Sequence, residues 1–254
     1  MQVNRPFILI VNDDGVSAPG LQFLSATLKQ IADILVIAPE KEQSGKSHAI
    51  NVDQKIKVKK LKELDGYIEY SCSGTPADCV KIAMHELVVK KPDLCISGIN
   101  HGANFSISTL YSGTVHAALE GTIQSVPSIA ISHQNYSKDI DFSCFKNFIK
   151  NIATHILNVG LKNGVTLNIN IPDIPFSKIK GIKVCHQGDG NWVEEYEKKE
   201  QGFYWLTGDF VSFDTSKSSD IWAINNNYIT IVPVKLDMTD YDYLKDLKDL
   251  NIDV

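Results

Sequence analysis

Asp13 and Asp14 stand side by side in "ILIVNDDGVSAPG" (residues 8–20), directly before Gly15. The five apolar residues "FILIV" (7–11) lead into them and have the character of a buried strand. Two adjacent carboxylates at a strand end repel each other and lose hydration, a cost that a divalent cation offsets. A helix-capping Asp followed by a turn Asp is the plainer alternative. Other segments argue for the cation. Ser44, Gly45 and Ser47 follow the second apolar run, Asn100 and Asn104 follow the third, and Ser112, Gly113 and Thr114 precede a helical stretch. In an open α/β sheet these segments share the rim at the carboxyl ends of the strands, where ligands bind. Asp, Ser and Asn oxygens suit a hard ion such as Mg²⁺ or Mn²⁺. The Ser-Gly-Thr turn offers backbone N–H groups at a helix start, a seat for phosphate. Together they are the equipment for metal-assisted phosphate ester hydrolysis.

Competing motifs fail on particular residues. "SGKS" (44–47) matches the end of a P-loop, but the first glycine of that pattern would fall at position 40, which is Glu40. A dinucleotide fingerprint after the first strand is replaced by the two acids. No HExxH or GxSxG pattern occurs. His116 and Glu120, four apart on a helix, read as an ion pair or hydrogen bond and not as metal ligands. A receiver domain would need a phospho-accepting Asp at the end of its third strand, where this chain has "SGIN".

The elements that must position these residues alternate along the chain. Apolar runs at 7–11, 34–39, 93–99, 127–132 and 167–172 read as core strands. Amphipathic stretches lie between them, with Leu21, Leu24, Leu28 and Ile31 at helical spacing in the first. The rhythm implies an α/β fold: a mainly parallel sheet covered by helices on both faces. "INVDQKIKVKKLKELDGYIEYSC" (50–72) reads as a strand pair around "LDG", its Lys-rich part being a solvated strand or sheet edge. From about 180 the sequence becomes β-rich. "GFYWL", "IWAI" and "YITIVPV" read as strands and "DYDYLKDLKDL" (240–250) as a last short helix. This tail is expected to pack on the core or on a partner subunit.

Composition bounds the function. A net charge of −5 argues against binding duplex nucleic acid or anionic membranes. No apolar run reaches membrane-spanning length, and the N-terminus lacks the pattern of a signal peptide. Five cysteines with no CxxC spacing fit a reduced, cytoplasmic protein.

With these residues in place, the chain resembles the SurE family, the stationary-phase survival proteins that act as metal-dependent nucleoside monophosphate phosphatases. The similarity runs through "ILIVNDDGVSAPG", "APEKEQSGKSHAI", "SCSGTPADCV", "SGINHGAN" and "YSGTVHAALEG". It continues into "YEKKEQGFYWLTGD" and "SDIWAINNNYITIVPV". The resemblance implies a Rossmann-like catalytic core (1–180) and a β-rich C-terminal oligomerisation extension (181–254) exchanged between subunits of a homodimer or homotetramer. It implies 5′-nucleotidase activity, with 3′-nucleotidase and exopolyphosphatase activities varying within the family. One divalent ion per subunit, Mg²⁺ or Mn²⁺, would be held by Asp13, Asp14, Ser44 and Asn100, with Asp13 and Asp14 catalytic. Asn104, Ser112, Gly113 and Thr114 would contact the substrate phosphate.

The chain departs from the family pattern at Ser106, where "GANFS" replaces "GANxG", at Ser219 for a common Thr, and at Asn227 for a usual Gly. Ser106 is expected to alter the loop or to bear the cost of a left-handed backbone; Asn227 tolerates that conformation better. His101 reads as a surface residue in preference to a leaving-group acid. Phe105, Tyr111, Trp192 and Tyr196 read as packing or subunit contacts in preference to base-stacking residues. A non-catalytic nucleotide-binding protein and a phosphatase with a "DxD" aspartyl nucleophile are the rival readings.

Overall fold

The structure, a computed structural model, describes residues 5–247. In chain order it runs β1 (Phe7–Val11), α1 (Pro19–Leu28), β2 (Asp33–Pro39), β3 (Val58–Leu64), β4 (Tyr67–Cys72) and α2 (Pro76–Ile82). Then come β5 (Leu94–His101), α3 (Ser108–Tyr111), α4 (Gly113–Ile123), β6 (Ser128–His133), α5 (Lys146–Val159) and β7 (Val165–Ile171). The last part holds β8 (Ile182–Val184), β9 (Gly190–Glu200), β10 (Phe203–Ser212), α6 (Asp220–Asn225), β11 (Ile229–Lys235) and α7 (Tyr243–Asp246).

Nine strands form one sheet in the order β3-β4-β2-β1-β5-β6-β7-β11-β8. The six from β4 to β7 are mutually parallel. β3 and β11 run antiparallel to β4 and β7. Alternation along the central strands sends side chains to two apolar layers. Ile8, Ile10, Val36 and Ile96 pack with Leu21, Leu24 and Leu28 of α1 and Ile149 and Ala153 of α5. Leu9, Val11, Leu35 and Ile37 pack with Cys79 and Val80 of α2 and Ala117 of α4. Each such side chain taken from water contributes about 1.5–3 kcal/mol, which is why these strands read as unbroken apolar runs. The Lys-rich β3 is the outermost strand on its side, where charge protects an unpaired edge.

Beyond residue 180, β8 and β11 extend the central sheet, and among the described residues the β9–β10 hairpin forms a separate two-stranded sheet. "IWAI" is not a strand but the helix α6, because the Ser219 hydroxyl accepts the Trp222 N–H at 3.2 Å and caps it. Of the expected last helix, α7 covers Tyr243–Asp246, and residues 248–250 lie outside the described residues. No helix among the described residues is long and apolar enough to cross a membrane.

Candidate active site

β1 is the strand at which the sheet order reverses, with β2 on one side and β5 on the other. Loops leaving β1, β2 and β5 therefore converge beyond its carboxyl end. They enclose a cleft of about 480 Å³ lined by Asp13, Asp14, Ser44, Asn100, Asn104 and Ser112, six of the eight site residues expected from sequence. Gly113 and Thr114 do not line it but stand behind Asp13. A Cβ on Gly113 would lie 2.8 Å from Asp13 Oδ2, so only glycine lets α4 approach this closely. The buried Thr114 hydroxyl donates to Asp13 Oδ1.

The acidic turn is held from within. Asn12, fully buried, accepts the Gly15 N–H at 3.2 Å and donates to the Gly15 carbonyl at 3.0 Å. Gly15 supplies the left-handed bend, with φ +102°. Burial, and then the charge of Asp14, push the Asp13 carboxyl up from 3.8 to about 7. Burial likewise raises Asp14 to about 6, against the His101 amide that donates to it at 3.2 Å. Asn100 gives its amide hydrogen to the Gly102 carbonyl at 2.6 Å, which fixes the side chain and leaves its carbonyl oxygen for a ligand. Ser44 lies exposed on the rim, its hydroxyl donating to Glu42 at 2.9 Å.

The donor set fits a hard divalent ion. Two carboxylates whose burial disfavours ionisation stand with two neutral oxygens in one cleft. Among the described residues no group of three or more His, Cys, Asp or Glu side chains is placed to hold a metal.

Three comparisons bear on identity. The family model for survival protein SurE matches residues 8–194. A 5′-nucleotidase SurE of Christiangramia forsetii is 47% identical, with 97% of each chain covered. Another, of Flavobacterium psychrophilum, is 44% identical over 98% of this chain and 100% of its own length. The chain belongs to the SurE family. The crystal structure of the SurE protein from Aquifex aeolicus superposes with a TM-score of 0.83 at 36% identity, covering 96% of this chain and 99% of that one.

The departures of this SurE chain have local explanations. Ser106 is left-handed at φ +51°, and its amide donates to Asp220 at 2.9 Å while its hydroxyl donates to the Gly188 carbonyl at 2.7 Å. Those bonds offset the strain a glycine would avoid. Asn227 is also left-handed, at φ +71°. His101 is no free surface residue: its ring Nδ1 donates to the Ser137 carbonyl at 2.7 Å and its edge meets Phe142. Glu120 does not pair with His116. It binds His48 and Lys81, each at 3.0 Å, whereas His116 Nδ1 donates to the Ser112 carbonyl at 2.8 Å. Of the aromatics, Tyr111 and Trp192 line the cleft, while Phe105 packs edge-on against Phe210.

Several residues of the site were missed from sequence. Asn168 and Asn170, buried in β7, donate to the Asn104 carbonyl, and Asn170 accepts the Asn104 N–H at 2.6 Å. Two polar residues on one face of the apolar run "LNINI" were the available signal. Lys138 and Tyr136 line the cleft from the loop after β6, and Lys138 faces Glu42 across 3.7 Å. No motif announced them.

Proposed function

We propose that this protein is a metal-dependent phosphatase that hydrolyses nucleoside monophosphates to nucleoside and phosphate, a 5′-nucleotidase for which 3′-monophosphates and polyphosphate are the further substrates to test. The supporting observation is the convergence of Asp13, Asp14, Ser44, Asn100, Asn104 and Ser112 on one cleft at the switch point of the sheet. The two relatives are both known as 5′-nucleotidase SurE, which agrees with it.

Asp13, Asp14, Ser44 and Asn100 would hold one Mg²⁺ or Mn²⁺ per subunit. Such an ion, when bound, supplies positive charge for the phosphate and lowers the pKa of water. The protein's own groups do the rest. Asn168 and Asn170 hold the Asn104 backbone, and its side-chain amide donates one hydrogen to Ser132, which leaves the other to meet the phosphate without reorganising. Ser112 caps α4, whose N-terminal dipole favours an anion at the cleft. Lys138 is the lysine on the rim and counters the incoming charge. Asp14 is the better proton acceptor for the attacking water, because Asp13 is enclosed by Gly113 and Thr114. A carboxylate committed to a cation is a poor nucleophile, so direct hydrolysis is favoured over an aspartyl-phosphate.

The functional unit in this reading is a homodimer or homotetramer joined through the exposed β9–β10 hairpin. The five free cysteines suit a reducing cytoplasm. Phosphate release from a panel of nucleoside monophosphates, with Mg²⁺, with Mn²⁺ and with EDTA, tests the proposal. Release that needs the ion and disappears in Asp13→Asn is expected. No release from any nucleotide, with metal binding demonstrated, would replace the enzyme by a phosphate-binding protein.

A further inference from the structure

Glu42 lines the cleft, and the phosphate chemistry above gives it no part. It stands two residues before Ser44 on the loop after β2, and Lys138 stands across the mouth on the loop after β6. Both loops are held at the backbone. The Gln43 N–H donates to the Asp13 carbonyl at 2.7 Å, which ties the Glu42 loop to the acidic turn. The Ser137 carbonyl accepts from His101 Nδ1 at 2.7 Å, which ties the Lys138 loop to the end of β5. With the main chain fixed beside each, the two long side chains meet over the opening.

The Glu42 carboxylate has a different partner on each oxygen. Oε1 accepts the Ser44 hydroxyl at 2.9 Å, and Oε2 lies 3.7 Å from Lys138 Nζ. A hydroxyl has one proton and two lone pairs. With its proton given to Glu42, the Ser44 oxygen offers a cation only lone pairs. At the other oxygen, Glu42 occupies the ammonium that would otherwise meet a phosphate. Both charges also reach the acid pair: after burial and the His101 amide, Glu42 raises the Asp14 carboxyl and Lys138 lowers it. Both side chains of the ion pair are more than half exposed, so the pair is weak and an incoming anion can open it.

Resting on the phosphatase reading above, we propose that Glu42 is a positioning residue with two duties: it orients the Ser44 hydroxyl for the divalent ion, and it competes with phosphate for Lys138, so that product phosphate leaves more readily. Substitution separates the two. In Glu42→Gln the amide oxygen still accepts from Ser44, but the charge that holds Lys138 is gone. Glu42→Ala loses both.

Two binding measurements on the full chain read these duties without turnover. The first is Mn²⁺ binding, followed by the paramagnetic resonance signal of the free ion. Glu42→Ala should weaken it by about tenfold, as loss of a group that orients a ligand does, and Glu42→Gln should bind as wild type does. Unchanged affinity in Glu42→Ala, or an equal loss in both variants, would overturn the orienting of Ser44. The second is equilibrium dialysis of inorganic phosphate against the chain saturated with Mg²⁺. Glu42→Gln should bind phosphate several-fold more tightly than wild type. That gain should shrink when the substitution is made in Lys138→Gln, since the competition needs both partners. Unchanged phosphate affinity in Glu42→Gln, or the same gain in both backgrounds, would overturn the competition for Lys138. Both sets of expected affinities with no phosphate released from any ester would instead sink the phosphatase reading and leave the role of Glu42 standing.

Discussion

Asp13 and Asp14 are held where ionisation is costly, a cost that protonation removes and that a bound cation would offset. Their carboxyls are pushed up from 3.8 to about 7 and about 6, chiefly by burial. A carboxyl whose pKa is higher in the folded than in the unfolded state stabilises the fold when protonated. That contribution is complete below the unfolded value near 3.8 and is lost as pH rises through 6 and 7. For Asp13 the change is on the order of 4 kcal/mol. The EDTA-treated protein should therefore melt higher at pH 5 than at pH 8. Added Mg²⁺ or Mn²⁺ should raise Tm most at pH 8, where the ionised pair is the form that binds. A melting temperature in EDTA that is flat across this range would remove the burial argument. Asp13→Asn separates stability from function: its amide oxygen still accepts from Thr114, but the second charge is gone. Calorimetry in EDTA should show a higher Tm than wild type at pH 8, and phosphate release should fall by at least about 100-fold. The acid pair was legible in the sequence because two adjacent charges after an apolar strand need an explanation. Thr114 was legible as part of the Ser-Gly-Thr turn, but its bond to Asp13 was not, and Asn12 was missed because a lone Asn in a turn is ordinary.

At the scale of elements, α6 does more than fill space. Asp220, at its start and fully buried, accepts the Ser106 N–H at 2.9 Å and the Gly188 N–H at 2.8 Å. It thereby ties the loop carrying Asn104 to the root of the hairpin carrying Trp192. Asp220→Ala would leave two buried N–H groups without an acceptor, a destabilisation of about 2–3 kcal/mol. Denaturant unfolding should read that loss, and steady-state kinetics should show KM for a nucleotide rising more than kcat falls. Equal effects on both would mean that the clamp shapes the reacting centre itself. The helix was misread as a strand because four apolar residues, "IWAI", fit either state; the deciding feature was the Ser-Asp pair in front of them. β1, β2, β5, β6 and β7 were legible because strands buried on both faces must be continuously apolar. What that apolarity concealed was the pair Asn168 and Asn170, whose periodicity marks the face turned to the Asn104 loop. Their role rests on a contact 64 residues away along the chain, which local pattern does not encode.

At the scale of the whole molecule, the β9–β10 hairpin is the part that does not account for its own stability. It forms a separate two-stranded sheet, and Tyr196, Phe203, Tyr204 and Trp205 are all more than half exposed. A lone strand pair is marginal in water, and so large an aromatic surface on a monomer marks an interaction site. A second copy of the chain covering these rings would supply the missing burial, and it fits the expectation of a subunit-exchanged C-terminal segment. Tyr204→Ser combined with Trp205→Ser removes two rings at the outer end of the hairpin. It leaves the root, where Trp192 bonds to Ser108, and the central sheet, where β11 pairs with β7, without a direct change. Sedimentation equilibrium should find wild type as a dimer or tetramer and the double variant shifted towards monomer at micromolar concentration. Tm should depend on protein concentration in wild type and lose that dependence in the variant, because dissociation and unfolding are then no longer linked. An unchanged assembly would place the subunit contact elsewhere and leave the hairpin rings to another partner. A variant that is monomeric yet releases phosphate as wild type does would show that one chain builds the whole catalytic cleft. A joint loss of assembly and phosphate release would mean that the partner copy holds the hairpin, with Trp192, against the cleft.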